Sequence, residues 1–225
     1  MTGLRDLKKR RIHEALSTAA VTLFLERGFA EVSVAEVAAA AEVSKPTLFK
    51  YFASKEDLAL HRIADHQGEP ARVVRGRRPG EDPLAALRRH FLAGLDRRDP
   101  VTGLNDDAEV LAYHGMIFGT PGLAARVFHY ITMDEEALAA ALAEAWGDDR
   151  DGLTARLAAG QALTAQRVLA RRNWAALVAG ATAAQVHPEA RDAAEHAFDL
   201  LRDGFGTTTG TPTGTTEGTT PGTTA

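Results

Sequence analysis

Residues 33–58, SVAEVAAAAEVSKPTLFKYFASKEDL, set two short amphipathic segments around a tight turn, and this arrangement narrows the possible fold more than any other stretch. Ser33 and Glu36 form an S-x-x-E pair, the reciprocal cap of a helix start, and Val37 and Ala41 then fall on its inner side. Ser44 caps the next helix. Pro46 is tolerated in its first turn because the amides there have no helical partner in any case. Leu48 and Phe52 face inward, which leaves Lys45, Thr47, Lys50 and Tyr51 outward. Cations and hydroxyls on the outer face of the second of two packed helices suit a reader of the DNA major groove.

The charge distribution agrees. All five lysines (Lys8, Lys9, Lys45, Lys50 and Lys55) precede residue 56. Residues 1–62 hold ten Lys/Arg against eight Asp/Glu, and the remainder holds sixteen against twenty-two, so a head of charge +2 sits on a body of −6. A DNA-contacting surface needs local positive potential, which a net charge of −4 does not exclude. The absence of cysteine removes disulfide frameworks, thiolate metal sites and thiol nucleophiles. No apolar run approaches the ~18 residues of a membrane span, and no apolar core follows the basic N-terminal run, so a cytoplasmic protein without membrane contact is expected.

Alanine is abundant and β-branched alternation is scarce, which predicts an all-α fold. The first helix is expected over 6–27, with Ile12, Leu16, Ala19, Leu23 and Phe24 on one face, Gly28 at its C-cap and Phe29 packing back. Ser54 and Asp57 open a fourth helix that runs to about residue 67 and joins head to body without a linker. Further helices are expected from Asp82-Pro83, over 105–118, from Thr120-Pro121 to 146, over 151–179 and over 188–205, nine in all. The head then spans 1–54, the body 55–205, and the Gly/Thr/Pro tract 206–225 is too poor in core-forming side chains to fold.

No catalytic or cofactor constellation stands out. HExxH, GxxxxGK[ST] and G-x-S-x-G are all missing, and His61 and His66 are five apart, off the i, i+4 spacing of helical metal ligands. The expectation is no enzyme, no metal and no cofactor.

Between Ile12 and Leu58 the chain resembles the N-terminal domain of TetR-family transcriptional regulators. The matching elements are Leu23-Phe24…Arg27-Gly28-Phe29, Val32-Ser33-Val34…Val37-Ala38, the run from Ala41 to Phe52, and Ser54-Lys55-Glu56-Asp57-Leu58. Two positions depart from the family. Glycine is common where Glu42 stands, so Glu42 costs backbone freedom and brings an anion near phosphate, and tyrosine is common where Phe49 stands, so a phosphate-bonding hydroxyl is missing.

The resemblance implies a nine-helix fold with an N-terminal helix-turn-helix domain and a C-terminal domain for effector binding and dimerisation. A homodimer would bind a palindromic operator in double-stranded DNA, as a repressor, and a small, mostly apolar effector would release it. Lys45, Pro46 and Thr47 would reach base edges. Lys50, Tyr51 and Lys55 would hold phosphates, with the Ser33 hydroxyl beside them and the basic run 8–11 as either an arm or a solvated leader. Phe91, Tyr113, Met116, Phe128 and Met133, with Phe118 and Tyr130 nearby, would line the effector cavity or else fill an ordinary core. His114, His129 and Gln161 are candidate polar anchors. The small residues of 155–165 and the last helix would form the dimer contact, although an internal core has the same pattern. Two rival classes remain, a helical small-molecule-binding enzyme and an interaction module with no operator.

Overall fold

The computed structural model describes residues 3–147 and 152–206, and every regular element among them is helical. Helix α1 (Leu4–Arg27) takes in the basic run 8–11, which is therefore helical and not a free arm. Leu16, Ala20 and Phe24 are its buried stripe. Gly28 ends it at φ +90°, donating to the Phe24 carbonyl at 2.9 Å, and the Phe29 ring lies 5.2 Å from that of Phe24. Helix α2 (Val34–Ala40) carries the expected capping box: the Ser33 hydroxyl accepts from the Glu36 amide at 3.2 Å, and the Ser33 amide donates to the Glu36 carboxylate at 2.8 Å.

Helix α3 (Lys45–Leu48) is a single turn capped by Ser44. The amides of Lys50 and Tyr51 then bond back three residues, to Thr47 at 3.1 Å and Leu48 at 2.9 Å, so the segment tightens where a continuous helix through Phe52 was expected. Helix α4 (Lys55–Ala64), capped by Ser54, stops three residues short of the expected 67. A turn follows, and Gly68 at φ +71° leads into a helix absent from the sequence reading, α5 (Glu69–Arg75). Counted as two halves of one interrupted element, α4 and α5 leave nine helices; counted apart, ten α-helices stand among the described residues.

The body continues with α6 (Pro83–Asp96), capped by Asp82, a 3-10 turn (Pro100–Thr102) capped by Asp99, and α7 (Ala108–Gly119), capped by Asp107. Pro121 opens α8 (Pro121–Trp146) as expected, though the Thr120 side chain makes no capping hydrogen bond. Then come α9 (Gly152–Val178) and α10 (Ala183–Gly206). The last helix begins before the expected Pro188, because Thr182 and Gln185 form a second reciprocal cap with bonds of 2.8 and 3.3 Å. The tract expected to be disordered lies, from residue 207 on, outside the described residues. No helix among the described residues is long and apolar enough to cross a membrane.

Two apolar cores result. The first gathers Leu16, Phe24, Val37 and Leu48 from the head and Leu58 and Leu60 from α4, but also Tyr113, Ile117, Leu123 and Val127 from α7 and the start of α8. The second joins α5, α6, α8, α9 and α10. Ala155, Ala158, Ala159 and Ala162 are buried inside this second core, as are Ala190, Ala194 and Phe198 of α10. The small-residue stripe expected at a dimer contact therefore serves the protomer's own packing.

Candidate nucleic-acid interface and body cavity

The head presents its expected DNA-facing residues unequally. Lys45, Pro46 and Lys50 are exposed on one side of α3 and the turn after it, and Ser33 is exposed at the head of α2. The Ser33 oxygen is already an acceptor for its cap, which leaves its hydroxyl proton to donate outward. Thr47 is half-buried, and its hydroxyl shares a 2.8 Å hydrogen bond with that of Ser44. Tyr51 is half-buried against the head core. Lys55 is held inward: its ammonium donates to the Ala30 carbonyl at 3.3 Å and lies 4.4 Å from the centre of the Phe29 ring. Exposed Phe49 sits beneath Lys45, whose Nζ is 6.0 Å from the ring centre.

One acidic group of the head, Glu36 beside the cap of α2, is firmly tied down. The amide of Ser33, then its hydroxyl, then Arg27 at 2.7 Å hold the Glu36 carboxyl down at about 2. Glu42, by contrast, is exposed in the turn before α3 at φ +54°, a left-handed conformation that glycine adopts freely and glutamate does not.

Helix α4 ties this surface to the body at several points. Asp57 pairs with Arg126 of α8. The buried Tyr113 hydroxyl of α7 donates to the Ala59 carbonyl at 2.6 Å, and burial pushes that phenol's pKa up, so it stays a donor. Arg62 bonds Glu109 at 2.8 Å and lies 5.7 Å from the centre of the Tyr113 ring. Just past α4 the Gly68 amide donates to Asp134 of α8 at 2.7 Å.

Beneath α4 the body holds a cavity of about 570 Å³ that opens to solvent, within the size range of small-molecule sites. Its walls come from the end of α4, the α4–α5 turn, the start of α5, α6, the 3-10 turn, α7, α8 and α9. Phe91, Tyr113 and Phe128 stand in the lining, together with Phe118, Tyr130 and His114. Met116 and Met133 do not, which corrects two of the expected contacts. Met116 lies one turn from Tyr113 on the side of α7 that packs against the head core. Met133 is exposed, two residues and so roughly half a turn of helix from the lining residue Ile131. His129 and Gln161 also lie outside the lining.

Other lining residues escaped the sequence reading. His66 and His90 both contact Glu69, at 2.8 and 3.1 Å. Burial pushes the Glu69 carboxyl up, but the His66 hydrogen bond and the two histidine charges together bring it below its ordinary range. Burial raises the Asp134 carboxyl, with the Gly68 amide opposing. Arg167 and Arg171 enter from α9. Their i, i+4 spacing beside buried Leu169 was the available signal, but a surface pair has the same spacing. Burial, helped by the Arg171 charge, lowers His114 to about 4, so it is neutral near pH 7. No cluster of three or more metal-ligating side chains occurs among the described residues.

Comparison with known proteins places this geometry. The family of bacterial regulatory proteins called tetR matches residues 16–61. The HTH-type transcriptional regulator TcmR of Streptomyces glaucescens is 36% identical over 150 residues, which span 66% of this chain and 66% of TcmR. Among solved structures, Salmonella enterica GusR is 20% identical with a TM-score of 0.56, covering 85% of this chain and 94% of that one. NalD of Pseudomonas aeruginosa, the secondary repressor of the MexAB-OprM multidrug efflux pump, is 21% identical with a TM-score of 0.54, covering 88% and 96%. These last two are likenesses of fold.

Proposed function

As the chain belongs to the TetR family of bacterial regulatory proteins, we propose that it is a homodimeric transcriptional repressor, released from a palindromic operator when a small, mostly apolar effector fills the body cavity. The observation that supports this most directly is the double role of α4. Leu58 and Leu60 belong to the head core, while Arg62 and Ile63, a turn later, are part of the cavity wall. A ligand that pushes on this wall moves the element on which the head is built.

In this reading Lys45, Pro46 and Thr47 meet base edges, and Lys50, Tyr51 and the Ser33 hydroxyl meet phosphates. Lys55 contributes after leaving the Ala30 carbonyl. Two α3 segments in successive major grooves need a separation of about 34–36 Å or somewhat more. The effector shifts that separation only as far as its affinities for the two states differ, typically ~1–3 kcal/mol of coupling. Dimerisation uses the outer face of the last two helices, where Leu153, Leu157 and Val168 of α9 and Leu200 of α10 are exposed. The site of action is the cytoplasm, where the operator is.

Selection from random-sequence DNA with the purified protein should return an inverted repeat. On that site Lys45→Ala should cost ~1–3 kcal/mol and relax one symmetric pair of base positions. Lys50→Ala should instead weaken operator and random DNA alike, and flatten the salt dependence by roughly one unit. A selection that returns no motif would favour an interaction module.

A further inference from the structure

The cavity lining carries charge of both signs, and the fold treats the two signs differently. Each lining carboxylate is held by a donor of this chain. Glu69 has His66 at 2.8 Å and His90 at 3.1 Å, Asp134 has the Gly68 amide at 2.7 Å, Asp99 has the Val101 amide at 3.1 Å, and Asp65 has His61 at 3.5 Å. Among the lining guanidiniums, Arg62 is paired with Glu109. Arg167 and Arg171 are not paired with any carboxylate among the described residues, and Arg167 has only the Thr164 hydroxyl at 3.4 Å. They stand four residues apart on α9, so both project from one face of the helix.

Next to them is unsatisfied polar chemistry. Nδ1 of His114 is buried with no hydrogen-bond partner, and so is Nε1 of Trp174. The His114 ring lies between those of Phe118 and Trp174, 4.4 Å from each. Buried polar atoms without partners are costly and uncommon in a finished fold. Arg167 is half-buried and Arg171 exposed at the cavity wall, so neither guanidinium is committed to a carboxylate and both are free to take one. A bound anion pairs with the guanidiniums, and a polar substituent on the same molecule can relieve the buried ring nitrogen of His114.

We propose that the occupant of this cavity is an amphipathic organic anion with an aromatic body, whose carboxylate or equivalent oxyanion sits between Arg167 and Arg171. The ring system lies among Phe91, Tyr113, Phe118 and Phe128, and a polar substituent reaches His114. Two guanidiniums one turn apart can fork around a single oxyanion, which gives orientation as well as affinity. The inference rests on the reading of this cavity as the effector site and narrows the class of effector.

Two fluorescent probes with the same aromatic skeleton test it on the full chain: anilinonaphthalene sulfonate, which is anionic, and phenylnaphthylamine, which is neutral. The wild type should bind one sulfonate per protomer roughly 10- to 100-fold tighter than the neutral probe, the ratio expected for hydrogen bonds to a charged group. The Arg167→Gln/Arg171→Gln double variant should lose that ratio while binding the neutral probe unchanged, which also shows that its cavity is folded. Arg171→Lys should keep only part of it, because the charge remains but the planar fork is lost. Leu163→Trp, which fills the cavity from α9, should exclude both probes and so separate cavity binding from adhesion to the exposed apolar face. Equal affinity for the two probes, or a ratio that survives in the double variant, overturns the anion preference and leaves the effector site standing. Binding of neither probe removes the cavity as a ligand site, and this inference with it, without touching operator recognition.

Discussion

The head and the body place their candidate functional side chains on opposite sides of the packing rule. In the head, Lys45, Pro46 and Lys50 are what remains exposed after Leu48 and Phe52 have been buried, so removing the core residues from the pattern reveals the surface. In the body, Phe91 and Tyr113 are buried like any core residue and line the cavity as well. A convex site is the complement of a core, whereas a concave site is an interruption of one. Periodicity separates inside from outside, but it does not mark where the inside is left empty.

The comparison can be broken most forcefully by damaging each region at one buried point. A Cβ on Gly103, which sits at φ +71°, would stand 2.0 Å from the Ala170 carbonyl oxygen of α9. Left-handed strain of about 1–2 kcal/mol and overpacking of about 1–3 kcal/mol should together destabilise Gly103→Ala by roughly 2–5 kcal/mol. Leu48→Ala in the fully buried head position should cost about the same, ~2–5 kcal/mol, through the cavity it leaves. Denaturant titrations should show a single transition for both variants, since α4 and α7 bind the regions together. Two resolved transitions would make head and body independent units.

A smaller change probes the joint itself. Tyr113→Phe removes the 2.6 Å bond to the Ala59 carbonyl and leaves that acceptor buried, which should lower stability by ~1 kcal/mol. The more telling readout is operator release by ligand, which should need a higher ligand concentration when α7 no longer grips α4. Unchanged release would mean that coupling runs through the Asp57–Arg126 and Gly68–Asp134 contacts instead.

The smallest expected effect is in the head. Glu42→Gly relieves the left-handed backbone at φ +54° and should raise stability by about 0.5–1 kcal/mol, after the greater chain entropy of glycine is deducted. It also removes an anion beside α3, so affinity for operator and random DNA should rise together, most at low salt. A melting curve and a salt titration of the one variant separate the two contributions.

Much of the head was legible because its signals are local. The Ser33–Glu36 cap, the Gly28 terminus with Phe29 folded back, and the inward Leu48 each depend on residues within a few positions of one another. The inward grip on Lys55 was hidden, since the Ala30 carbonyl it bonds is 25 residues away. In the body, the Thr182–Gln185 cap was present in the sequence, but Pro188 drew the helix start to itself. The α4–α5 break was marked by Gly68 ahead of Glu69-Pro70. The His66–Glu69 pair is three residues apart and was open to reading, but the His90–Glu69 contact and the approach of Arg171 to His114 are tertiary, and no short window along the chain contains both partners of either.

The first apolar core reaches well beyond the segment that would bind DNA, taking in Tyr113, Ile117, Leu123 and Val127. Anyone grafting this head onto a foreign sensor, or a foreign head onto this one, therefore faces a seam that does not follow the chain. A splice after Ala64 would cut the backbone at a turn yet strip four buried side chains from the transplanted piece. A working chimera should carry matched residues at those four positions of the recipient, so that the donor head meets the surface on which it was built.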